Sequence, residues 1–135
     1  MTLGDQLRVC GPVADPKAAG RARELISGTV PSAHLEQVWP ALAPVFGASP
    51  YLVSLARRDP ERLAALLDAD PDARLADILV RTAAAAGLAG DDAGVALRRL
   101  KSELHLLTAL ADLGGVWNLD QVTAALTRFA DAAVA

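Results

Sequence analysis

The segment Leu97–Ala133, LRRLKSELHLLTALADLGGVWNLDQVTAALTRFADAA, decides the fold. Leu97, Leu100, Leu104, Leu107 and Ala111 recur at three- and four-residue steps, and Leu106, Leu110 and Leu113 form a second apolar stripe beside them. One such stripe is the face of an amphipathic α-helix; two adjacent stripes describe a helix that becomes central toward its C-terminal end. The first half of this helix carries Arg98, Arg99, Lys101 and Glu103, which the pattern turns toward solvent or a partner. Gly114-Gly115 ends it. Asn118 with Gln121 three residues later predicts a capping box. Leu119, Val122, Leu126, Phe129 and Ala133 then predict the buried face of a last helix, with Asp120, Arg128 and Asp131 opposite. The two helices are expected to pack as an antiparallel pair within a bundle.

Working upstream, a capping residue followed by proline recurs at Asp15-Pro16, Ser49-Pro50, Asp59-Pro60 and Asp70-Pro71. The Asp or Ser oxygen accepts one of the unpaired N–H groups of a first helical turn, and proline at the next position gives up a donor that had no partner. Each pair therefore marks a helix start. The expected helices span about 16–28, 32–46, 50–58, 60–68, 71–86, 92–112 and 119–134. Pro40 and Pro44 should break or kink the second, because each removes an intrahelical hydrogen bond. GLAGDDAG, from Gly87 to Gly94, reads as a loop. Residues 1–15 show no periodicity and are expected to be disordered. No segment alternates with period two, so the fold class is all-α, a multi-helix bundle of about six to seven helices over residues 16–135. Val134-Ala135 still favours helix where a domain boundary would carry Gly, Pro or polar residues, which suggests a piece of a larger protein.

Composition agrees with that class. Hydrophobic residues make up 53% of the 135 but aromatics only 4%, so the core is built from Ala, Leu and Val and its helices can approach closely. A formal net charge of −3 argues against a nucleic-acid binder. Cys10 is the single cysteine, which favours a reducing, cytoplasmic setting. No apolar run approaches the roughly 20 residues of a membrane helix, and no export signal is legible.

Asp68, Asp70 and Asp72 are the only clustered carboxylates. As D-x-D-x-D they suggest a metal pair or the opening of a calcium loop. The loop reading lacks its Gly and Glu, since Ala73 and Leu79 occupy those places, and a catalytic pair belongs on a strand. A helix exit followed by an N-cap accounts for them better. His34 and His105 have no partner at metal-ligand spacing and read as partly exposed surface residues. Cys10 has no nearby base. Trp39 and Trp117 read as packing residues, the latter wedging the last helix against its predecessor. No catalytic, cofactor-binding or metal-binding residue is assigned. Arg98, Arg99 and Lys101 are the candidate contact residues for another domain, a partner or a phosphate, although Arg99 also has Glu103 four residues on as an intrahelical partner.

Ser49-Pro50-Tyr51, Arg58-Asp59-Pro60-Glu61, Leu97-Arg98-Arg99 and Ala111-Asp112-Leu113-Gly114-Gly115, taken as an ordered set, resemble the helical region upstream of the first catalytic domain in bifunctional glutamine synthetase adenylyltransferases/adenylyl-removing enzymes. The likeness runs from about Ala48 to Ala133; residues 1–47 match less specifically. The resemblance implies a bacterial, cytoplasmic enzyme of nitrogen-assimilation control that attaches AMP to a tyrosine of glutamine synthetase and removes it by phosphorolysis, under the signal protein PII. It implies Mg²⁺ and ATP/ADP for the parent enzyme and none for this chain, because the Gly-Ser or Gly-Gly turn followed by a strand-borne Asp-x-Asp pair in the family's catalytic domains is not read in this sequence. The expected role is support of the adenylyl-removing nucleotidyltransferase half, with the remainder of the enzyme, glutamine synthetase and PII as partners and no nucleic acid or membrane. The alternative is a stand-alone helical protein–protein interaction module; a third, weaker reading is a small helical enzyme built on the Asp68 cluster.

Overall fold

The computed structural model describes residues 1–134. Among them are eight helices and no strand: α1 (Leu3–Gln6), α2 (Pro16–Ile26), α3 (Ser32–Ala48), α4 (Pro50–Arg58), α5 (Pro60–Leu67), α6 (Pro71–Ala86), α7 (Asp91–Leu113) and α8 (Leu119–Val134). Ala135, the last residue assigned to the helical domain, lies outside the described residues.

All four cap-proline pairs start helices. Asp15 accepts the Ala18 N–H at 3.0 Å, Ser49 that of Leu52 at 3.2 Å, Asp59 that of Arg62 at 3.1 Å and Asp70 that of Ala73 at 3.0 Å. The box before α8 closes reciprocally, Asn118 N–H to Gln121 at 2.8 Å and Gln121 N–H to Asn118 at 2.9 Å. Each such cap stabilises its helix by about 1 kcal/mol. No single helix among the described residues is long and apolar enough to cross a bilayer.

The core forms around α7. Leu104, Leu106, Leu107, Leu110 and Ala111 are buried, as the double stripe requires, whereas Leu113, the last residue of the second stripe, is 42% exposed at the helix end. The buried residues meet Leu75 and Ile78 of α6, Leu63, Leu66 and Leu67 of α5, Leu52 and Leu55 of α4, and Leu35, Val38, Leu42, Val45 and Phe46 of α3. Helix α2 packs on α3 through Ala19, Ala22 and Ile26. Trp39 stacks on Phe46 with centroids 6.5 Å apart, and the Arg23 guanidinium covers the Trp39 ring. The hydroxyls of Thr82 and Thr108 are buried but satisfied, donating to the carbonyls of Ile78 and Leu104.

Other features of the fold depart from the sequence reading. Helix α3 runs unbroken through Pro40 and Pro44. Two missing N–H donors do not end a helix whose apolar residues are buried along most of its length, because packing outweighs the lost bonds. The turn comes instead at Ser49, where α3 and α4 meet at 117°. Helix α7 begins at Asp91, so the loop is shorter than Gly87–Gly94, and Asp91 and Asp92 complement the positive end of the helix dipole. Residues 1–15, expected to lack order, contain α1 and make specific contacts: the Leu3 N–H donates to the Ala69 carbonyl at 2.7 Å, that of Arg8 to the Gly114 carbonyl at 2.8 Å, and Leu3 is fully buried. A four-residue turn is too short to show periodicity. Helix α8 is rotated from its expected face, with Ala125 buried, Leu119 76% exposed and Leu126 42% exposed, because it packs chiefly on α6 and less on α7.

Candidate interaction surface

The polar first half of α7 divides by side-chain direction. Glu103, which the sequence pattern turns outward, is instead 2% exposed and faces α6. Its Oε1 accepts from Arg74, through Nε at 2.9 Å and through Nη2, and its Oε2 accepts from Arg81 Nη2 at 2.8 Å. Arg81 is held in turn by Asp77, one helical turn earlier, at 2.9 Å. Glu103 thus clasps two turns of α6, and the expected Arg99–Glu103 pair does not form. A buried carboxylate is tolerable only when its lone pairs are filled, and these two guanidinium groups fill them. The signal was present upstream: Arg74 and Arg81 stand seven residues apart, two turns on one helix face.

Arg98, Arg99 and Lys101 are all exposed. They do not share one site. Arg98 and Arg99 border an open depression of about 470 Å³ with Arg58, Asp59, Arg62 and Ser102. Arg98 and Lys101 border a second, apolar groove of about 410 Å³ between α7 and α8, whose walls include Leu97, Leu104, Leu126 and Phe129. Arg58 and Arg62 were missed as site residues because they stand 36 or more positions before Arg98 in the sequence, and only the turn at Asp59 between α4 and α5 brings them beside α7.

His105 sits at the edge of the second groove, half-buried, with its Nδ1 2.9 Å from the Tyr51 hydroxyl. Burial lowers its pKa below the ordinary 6.5, and the nearby Lys101 ammonium adds to that. His34 is also half-buried, on the surface between α3 and α5 beside Val30 and Asp68. Cys10 is exposed.

The acidic triplet is occupied with structural tasks. Asp68 ends α5, Asp70 caps α6, and Asp72 accepts the indole N–H of Trp117 at 3.1 Å. That bond ties the α7–α8 turn to the start of α6 and gives Trp117 its wedge position. Among the described residues no group of three or more His, Cys, Asp or Glu side chains is placed to hold a metal ion. The residues present therefore do not fit the Mg²⁺ pair that the resemblance implies for the parent enzyme.

Fold and surface together define an all-α packing module: its buried ionic groups join helices, and its free cations face outward. The family model for glutamate-ammonia ligase adenylyltransferase matches residues 39–135. A bifunctional glutamine synthetase adenylyltransferase/adenylyl-removing enzyme from Caulobacter vibrioides is 56% identical over 133 residues, which is 96% of this chain and 14% of that protein. Proteins of the same description from Bradyrhizobium sp. (44% over 122 residues, 89% of this chain and 11% of the relative) and Rhodopseudomonas palustris (49% over 96 residues, 70% and 10%) are also similar. The chain belongs to the glutamate-ammonia ligase adenylyltransferase family. It spans 14% or less of the length of these three relatives. No solved structure matches it.

Proposed function

We propose that this chain is the N-terminal helical region of a bifunctional glutamine synthetase adenylyltransferase/adenylyl-removing enzyme, and that it supports the adenylyl-removing half without performing its chemistry. The observation that carries the reading is 56% identity along 96% of the chain to a relative of that description, joined to a fold whose regular elements are all helices among the described residues. Asp70 and Asp72 of the carboxylate cluster are engaged in capping and in the Trp117 bond. Mg²⁺ and ATP or ADP act elsewhere in the parent polypeptide, in the cytoplasm, with glutamine synthetase as protein substrate and PII as regulator. Arg98 and Arg99 at one depression, and Lys101 at the α7–α8 groove, are the contact residues through which this region meets the rest of the enzyme or a protein partner. Calorimetric titration of the chain with Mg-ATP tests the assignment: no saturable heat is expected at concentrations below about 1 mM, a weak limit by the scale of specific sites. Stoichiometric binding in the micromolar range contradicts it.

A further inference from the structure

We propose that the corner between α4 and α5, with the adjoining face of α7, is a docking site for an acidic protein segment whose carboxylates pair with Arg58, Arg62, Arg98 and Arg99. These arginines come from three helices yet border one open depression. The chain as a whole carries a net charge of −3, so a general basic excess does not explain their convergence. Among the described residues none of the four forms an ion pair with a carboxylate, whereas Arg74 and Arg81 do. Four arginines face one carboxylate there, Asp59, and this excess of like charge raises the energy of the free surface, which an incoming anion recovers.

The chemistry of the depression selects the anion. Its one carboxylate, Asp59, is held by the Arg62 N–H as the cap of α5 and so stays in place. A compact polyanion seated there would face that charge, whereas carboxylates spaced along a peptide can reach each arginine and leave Asp59 in solvent. No aromatic side chain lines the depression, so a nucleotide base finds nothing to stack on. The Arg62 guanidinium is already oriented by donating from Nη2 to the Leu55 carbonyl at 3.0 Å. The exposed guanidinium forks of Arg58, Arg98 and Arg99 also match carboxylates in a bidentate geometry that lysine cannot reproduce. The proposal builds on the reading of Arg98 and Arg99 as contact residues but does not depend on the adenylyl-removing role.

The test is fluorescence anisotropy of a labelled hexaglutamate peptide titrated with the 135-residue chain. Saturable binding is expected at about 50 mM salt, weakened at least about tenfold at roughly 300 mM. The double substitution Arg98→Glu/Arg99→Glu should weaken it by at least about tenfold, and Arg128→Glu on α8 by less than about twofold. Thermal melts of each variant by circular dichroism establish that the fold is kept, and Arg58→Glu replaces the double variant if it is not. Three results overturn the proposal: no saturable binding, an equal loss with Arg128→Glu, or displacement by inorganic tripolyphosphate at lower concentration than by unlabelled hexaglutamate. None of these reads enzyme activity, so the docking site and the supporting role fail separately.

Discussion

Glu103 shows what a single side chain does in this molecule. It sits at the boundary of an apolar stripe, where a carboxylate ordinarily faces water, yet it is 2% exposed and receives Arg74 and Arg81. Replacing it with alanine leaves Arg74 without its carboxylate acceptor and Arg81 with Asp77 alone. Arg81 is 42% exposed and can turn to water, so the expected loss is about 1–3 kcal/mol, below the cost of stranding a fully buried charge. Urea unfolding of Glu103→Ala measures it, and an unchanged midpoint would show the clasp to be energetically idle. The reading of Glu103 as solvent-facing fails for a physical reason: helical periodicity reports which positions are apolar, and its partners lie 22 and 29 residues away on another helix. His105 gives a second residue-level expectation. Its pKa is lowered in the folded state, so between that value and 6.5 the unfolded chain binds more protons. The neutral ring's contribution to stability is complete above pH 6.5 and is lost as pH falls below it. His105→Gln should flatten this part of the melting-temperature profile; an unchanged acid slope would assign the loss to other groups.

At the level of elements, local chemistry was legible wherever a helix end depends on neighbouring residues. The four capped prolines, the Asn118–Gln121 box and the Gly114 stop all lie where the pattern put them. Asp70→Ala should therefore cost about 1 kcal/mol in a thermal melt, as the loss of a cap does. Gly114 has a further duty that the sequence does not display. A Cβ there would meet the Leu7 side chain and stand 2.7 Å from the Leu110 carbonyl oxygen, because the N-terminal segment crosses at this point. Its φ of −82° suits any residue, so the demand is for space. Gly114→Ala is expected to destabilise by about 1–3 kcal/mol through crowding, and to increase proteolysis near Leu7. Equal cleavage of both proteins would mean that residues 1–8 contribute little to this turn. The rotation of α8 was equally hidden, since both α6 and α7 were available as neighbours and its alanines fit either.

The whole molecule is a set of helices gathered around α7, with ionic and indole clasps tying α6 to α7 and to the turn that follows. The interaction surface was only half legible: Arg98, Arg99 and Lys101 stood out as a run, but folding sends Lys101 to the α7–α8 groove and brings Arg58 and Arg62 to the other two. The role proposed for this body is support of a catalytic neighbour. The most direct test introduces Glu103→Ala into the full-length enzyme and follows both activities on glutamine synthetase as temperature rises through the melting of the helical region. Removal of AMP should fall as that region melts while attachment holds its wild-type rate. Undiminished removal by the melted variant, or a parallel fall of both rates, would contradict a supporting role for the adenylyl-removing half.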